Sequence, residues 1–169
     1  MPSKPHSNPD LGKVPCLKAI IAIHDKAATM TVHTGGCHCG NIRLGFSTEL
    51  DPPLTEVRAC QCSFCVRHGS RAVADPKGRL VISVKDETQL RRYQFGLRTA
   101  DYLICRECGV YVAAITGDDD ARAIVIINAL DDRERFNQEP VRVDFDTENR
   151  AQRQARRRTH WTPVEMSFG

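Results

Sequence analysis

No stretch of the 169-residue sequence is long and apolar enough to cross a bilayer. Runs such as Ala123 to Leu130 fall far short of the roughly 20 residues a membrane helix requires. Charge of one sign is also scarce. The formal net charge is +3, and the Arg-rich stretch from Glu148 to His160, with five Arg and one Glu, carries a local +4, so the other residues sum to about −1. Overall charge therefore calls for no nucleic-acid partner. A secretory leader pattern is missing: the first residues are polar and Pro-rich, and the mildly apolar Cys16 to Ile23 is interrupted by Lys18 with no small-residue cleavage pattern after it. There is no phosphate-cradling glycine loop, Ser-centred nucleophile elbow, His-x-x-x-His zinc-protease helix or internal repeat. With 41% hydrophobic and 27% charged residues, the chain has the composition of one soluble globular domain rather than a disordered one.

Aromatic residues make up only 6% of the chain, yet there are eight cysteines, at 16, 37, 39, 60, 62, 65, 105 and 108. Seven fall into three tight clusters, Cys-x-Cys-Gly at 37–40, Cys-x-Cys-x-x-Cys at 60–65 and Cys-x-x-Cys-Gly at 105–109. A bridge inside Cys37–Cys39 or Cys60–Cys62 would close a three-residue ring, and without a leader a reducing, cytoplasmic setting is expected, so these thiols point to metal. In extended backbone, residues i and i+2 project to one side, so each Cys-x-Cys can offer two sulfurs to one ion. Gly40 and Gly109, directly after their pairs, suit a chain that reverses tightly through positive φ.

Ligand counting separates two sites. Cys37, Cys39, Cys105 and Cys108 form a complete tetrahedral set, the coordination of structural zinc, whereas Cys60, Cys62 and Cys65 supply three thiolates and leave a fourth position open, as in catalytic zinc. Two zinc ions per chain are expected. His68, three residues past Cys65, is the candidate that would close the second site and make the protein a non-catalytic two-zinc binding module for protein or nucleic acid. A redox dithiol is a further alternative, although Cys105–Cys108 lacks the strand-to-helix context of that motif. Cys16 reads as a bland thiol, His38 as a residue pointing away from the metal, and His6, His24 and His33 have no partner legible in the sequence.

Residues 1–29 read as an N-terminal extension, Pro-rich and then helix-compatible from Leu17 to Ala28, with Met30 an alternative start. The zinc domain spans 30–146 and a basic helix and tail 147–169. Short β-branched or aromatic runs predict strands at Thr31–Gly36, Asn41–Ser47, Val57–Cys60, Arg79–Lys85, Leu90–Phe95, Asp101–Cys105, Val110–Thr116, Ala123–Ala129 and Val141–Phe145, hence a mainly β body. Val110–Thr116 and Ile124–Asn128 are apolar enough for strands buried on both faces. Helices are expected at Cys62–Gly69 and Thr147–Arg158, the latter capped by Thr147, with Glu148 in its first turn and Arg156, Arg157 and Arg158 in its last. Its arginines read as a solvated face, with anion binding as the alternative.

Gly-Gly-Cys-His-Cys-Gly at 35–40, Cys-Gln-Cys-Ser-Phe-Cys at 60–65 and Cys-Arg-Glu-Cys-Gly at 105–109 resemble, in order and spacing, the glutathione-dependent formaldehyde-activating enzyme family, also called the GFA or CENP-V family. The resemblance covers roughly Thr31 to Leu130 and departs from the family at Gln61, where many members have His. It implies an Mss4-like fold of short antiparallel strands organised around zinc, and a carbon–sulfur lyase activity. The implied reaction is S-(hydroxymethyl)glutathione formation from a glutathione-like thiol and formaldehyde or a related aldehyde. Arg58, Arg67, Arg71 and Arg98 are candidates to clamp the carboxylates of such a thiol. The sequence discloses no oligomeric state.

Overall fold

A computed structural model describes residues 29–117 and 119–169. Cys16, His6, His24 and the Leu17–Ala28 helix expectation lie outside the described residues. Among the described residues no helix is long and apolar enough to cross a membrane.

The chain opens with a hairpin, β1 (Thr31–Gly36) antiparallel to β2 (Ile42–Thr48), and the first cysteine pair sits in its turn. Along β2 the residues alternate in burial, so Ile42, Leu44 and Phe46 face inward. They pair across the ladder with Val84, Ile82 and Leu80 of β5 (Arg79–Val84), which gives the core its first wall. Between these strands lie β3 (Arg58–Cys60), the short helix α1 (Ser63–Arg67) and the two-residue β4 (Ala72–Val73). Next come β6 (Leu90–Tyr93), β7 (Asp101–Cys105), β8 (Tyr111–Ile115) and β9 (Arg122–Ile126), with β6–β7, β7–β8 and β8–β9 paired antiparallel. Every residue of β8 is buried, as its unbroken apolar run predicts.

β10 (Val141–Val143) lies parallel on β3, and α2 (Arg150–His160) leads into β11 (Thr162–Phe168). That last strand runs parallel to β5 from Val164 to Phe168 and meets β9 antiparallel at Thr162 and Pro163. It thereby joins the β1–β2–β5 half of the sheet to the β9–β4–β3–β10 half. The predicted strands are present to within a few residues, whereas β4 and β11 were not foreseen. The stretch Ile127–Ala129, predicted as the end of a strand, is a 3₁₀ turn.

The cap of α2 also differs from expectation. Asn149, not Thr147, is the N-cap: its side chain accepts from the Gln152 N–H at 3.0 Å while the Gln152 side chain accepts from the Asn149 N–H at 2.9 Å. This reciprocal pair satisfies two otherwise orphaned donors, which a cap at Thr147 would leave to solvent. Glu148 therefore precedes the helix instead of occupying its first turn.

The main core gathers Phe46, Leu80, Ile82, Leu103, Val112 and Phe136, together with Cys37 and Cys105. A smaller cluster of Ala72, Ala100, Tyr111, Ala114, Ile126 and Trp161 packs beside it, beneath α2. His33, unassigned from the sequence, is buried between Phe46 and Phe136 and bonds Asp132 through Nδ1 at 2.7 Å.

Candidate functional site

The first and third cysteine clusters meet. Cys37 and Cys39 in the β1–β2 turn and Cys105 and Cys108 at the β7–β8 turn bring four Sγ atoms within 4.8 Å of one another, with Cys37–Cys39 at 3.6 Å and Cys39–Cys105 at 3.4 Å. Zinc–thiolate bonds of about 2.3 Å in a tetrahedron place sulfurs ~3.8 Å apart, so the donor set and its spacing fit zinc. The backbone prepares the turns. Gly40 and Gly109 have φ of 80° and 73°, as their positions predict, and the Ile42 N–H donates to Cys37 Sγ at 3.1 Å. His38 between the ligands is exposed. Burial pushes the Cys105 thiol up to about 12. For Cys108 burial acts in the same sense, but hydrogen bonds from the backbone of Cys39 and Val110 and from Cys105 outweigh it and bring that thiol down to about 6.

The middle cluster stands apart. Cys60 ends β3, Cys62 caps α1 and Cys65 lies within that helix, and their three sulfurs also lie within 4.8 Å of one another. The Cys65 N–H donates to Cys62 Sγ at 3.5 Å. Hydrogen bonds from Cys60 and Cys65 hold the Cys62 thiol down to about 2, while sharing that charge raises both neighbours. Cys62 is thus the most acidic of the three thiols, and a cation can draw the protons off the other two. No fourth His, Cys, Asp or Glu of the described residues joins the group. His68, the candidate closing ligand, instead caps the end of α1 and packs its ring on Phe64 at 4.4 Å and Tyr111 at 5.5 Å. Phe64 pins the loop from beneath, with ring contacts to Tyr93, Phe95, Tyr102 and Tyr111 at 4.9 to 5.5 Å.

Cys60, Cys62 and Cys65 line a cavity of about 320 Å³. Its far wall is α2. Arg153, Arg156 and Arg157, spaced to share one helix face, line it with Trp161, which corrects the expectation of a solvated arginine face. Of the four arginines proposed as carboxylate clamps only Arg58 lines this cavity. Arg67 donates to the Ser63 carbonyl at 2.8 Å, Arg71 to that of Phe136 at 3.0 Å, and Arg98 is exposed. Tyr102, also at the wall, is raised above the usual phenol range, first by burial and then by the nearby cysteine thiolates, so it keeps its proton.

Glu148 organises the helix face. It accepts from Arg156 Nε at 2.7 Å and Nη2 at 2.9 Å, and lies 3.6 Å from Arg153. The hydrogen bond from Arg156 holds its carboxyl below the usual carboxylate range. A depressed carboxylate stabilises the fold above its unfolded pKa and loses that contribution as pH falls through the folded one. Glu148→Gln is accordingly expected to cost about 1 kcal/mol at pH 7, with the gap from wild type closing below pH 4.5 in urea melts. A gap that stays constant with pH would show that the ion pair contributes nothing.

The model of the family described as glutathione-dependent formaldehyde-activating enzyme matches residues 32–145 of this sequence, which include all seven clustered cysteines. The chain belongs to this family. The family's general activity, glutathione-dependent activation of formaldehyde, accounts for a thiol cluster that faces a cavity. A crystal structure of a Rhodobacter sphaeroides protein, a structural-genomics target, is similar at 31% identity, covering 65% of this chain and 99% of that one with a TM-score of 0.50. The two structures share a fold over that length. Arg153, Arg156, Arg157 and Trp161 lie beyond residue 145, where the family match ends.

Proposed function

We propose that the protein is a zinc-dependent carbon–sulfur lyase-type enzyme. It joins glutathione, or a similar thiol, to formaldehyde or a related aldehyde as an S-hydroxymethyl adduct. Cys37, Cys39, Cys105 and Cys108 are the ligands of a structural zinc, and Cys60, Cys62 and Cys65 those of a catalytic zinc. The observation that carries this reading is the contrast between the two sulfur groups: four sulfurs complete one set at the margin of the main core, where Cys37 and Cys105 are buried, while three open onto a cavity. Held by Cys60, Cys62 and Cys65, zinc would carry a net charge of −1 and keep a position open to a substrate thiolate, whereas the four-sulfur set would leave it at −2 with no open position.

The protein's own residues do the remaining work. The loop from Cys60 to Cys65, pinned by Phe64, fixes where the sulfur nucleophile sits. The cavity holds the aldehyde against it, and this proximity replaces a bimolecular encounter. In the reaction the substrate S–H bond is lost, a sulfur–carbon bond forms, and the carbonyl π pair becomes an O–H bond that takes up the released proton. No atoms are left over. Zinc-loaded protein is expected to accelerate the exchange between glutathione, formaldehyde and their adduct, followed by exchange NMR. A rate equal to that of buffer would overturn the named reaction.

A further inference from the structure

The helix wall of the cavity holds a cation without a counter-ion. Arg157 is only 5% exposed. Its Nη1 donates to the Thr99 carbonyl at 2.7 Å and to Thr99 Oγ1 at 2.6 Å, and its guanidinium carbon lies 4.7 Å from the Trp161 ring centroid. Its Nε is buried with no hydrogen-bond partner. Glu148 is engaged by Arg156 and Arg153, and among the described residues no carboxylate pairs with Arg157. Asp146 lines the cavity too, but from an exposed position. Burial lowers the Arg157 pKa to about 10, which leaves it charged at neutral pH.

Burying an unpaired charge is unfavourable, and a ligand that brings the missing anion relieves that cost. The geometry suits a carboxylate. With Nη1 committed to Thr99 and Nε buried out of a ligand's reach, Nη2 is the nitrogen left to donate to a carboxylate. Between Arg157 and the cysteines the lining is mostly apolar, with Val73, Ile124, Ile126 and Phe145 among it. The cavity's volume of about 320 Å³ exceeds what a one-carbon aldehyde fills and reaches the range that holds small organic ligands.

We propose that Arg157 is the anion-binding end of a substrate site. It holds the carboxylate of a ligand with an apolar body, whose reacting end reaches Cys60, Cys62 and Cys65. This rests on those three thiols being the reaction centre. The carboxylate belongs either to the carbonyl substrate or to the thiol.

Trp161 is the single tryptophan and lines the same cavity, so its emission reports binding without catalysis. Hexanoate and its neutral isostere hexanamide are titrated into zinc-loaded protein. Hexanoate is expected to bind at least about 10-fold tighter, Arg157→Gln to erase that difference, and Arg157→Lys to retain part of it. Equal binding of the two probes, or an unchanged ratio in Arg157→Gln, overturns the proposal. If Arg157→Gln does not fold by circular dichroism, the wild-type ratio and Arg157→Lys decide. A repeat with S-methylglutathione present separates the sources: competition assigns the carboxylate to the thiol, and independent binding assigns it to the carbonyl partner. Glutathione–formaldehyde exchange is measured on the same samples. Selective binding without exchange removes the proposed reaction and leaves the site standing, whereas exchange without selective binding removes the site alone.

Discussion

Replacing Cys62 with serine is expected to slow adduct formation by about 10³-fold or more, roughly 4 kcal/mol of transition-state stabilisation, while leaving the fold in place. Cys62 is one of the three sulfurs that would hold the catalytic zinc, so its loss leaves only two ligands at that site. Its structural duty is easily inherited. Cys62 accepts from the Cys65 N–H as the cap of α1, and serine is among the best residues for that position. The readouts are exchange NMR of glutathione and formaldehyde, zinc per chain by mass spectrometry, and a thermal melt. Zinc falling from two per chain to one, with activity lost and melting little changed, is the expected pattern. Full activity in a variant that has lost one zinc would sink the catalytic assignment.

Cys105→Ala is expected to do the reverse, lowering the melting temperature by roughly 10–15 °C. Cys105 is fully buried in the main core, and the contact of its sulfur with Cys39 spans 66 residues of sequence. A cross-link closing a loop of that length is worth about 4 kcal/mol in lost unfolded-state freedom, and a metal cross-link acts on the same freedom. In a chain of this size each kcal/mol moves the midpoint by about 2–4 °C. Chelator treatment of wild type, applied until both sites are stripped, should reproduce the drop. A Cys105→Ala midpoint within a degree or two of wild type would show that the four-sulfur group holds nothing together.

The grouping of the cysteines was legible because it is written locally: within each cluster neighbouring cysteines are two or three residues apart, and only the meeting of Cys37–Cys39 with Cys105–Cys108 needed the fold. Asp101–Cys105 is a strand to the residue, since its apolar run ends at a ligand and a turn. The strand Thr162–Phe168 was hidden for the opposite reason. Pro163 argues against a ladder position, and what holds the segment is its register on Arg79–Val84, a partner some eighty residues earlier. At the start of the long helix Thr147 was expected as the cap; the Gln three residues after Asn149, which completes a reciprocal cap, was the signal passed over. The arginine wall was harder still. Arg153, Arg156 and Arg157 stand at spacings that share a helix face, but whether that face meets water or a cavity depends on how the helix docks, through Arg157 on Thr99 and Arg156 on Phe145. The signal available was the stripe itself, followed by Trp161.

The strand that joins the two halves of the sheet is also the last of the described strands in chain order. During translation the hairpin of Thr31–Thr48 and its neighbour Arg79–Val84 can pair as they emerge, but their far edge stays open until Val164–Phe168 clears the ribosome. A nascent chain therefore spends its growth with an unpaired, apolar-backed edge exposed, the condition in which strands pair with the wrong neighbour. The sulfur group at Cys37 and Cys39 can be completed earlier, once Cys108 is out, and metal capture at that point would hold the two halves near each other while the closing strand is still inside the tunnel. With zinc in that group as proposed, its supply during synthesis, and not only afterwards, would bear on how much of the protein reaches its folded form.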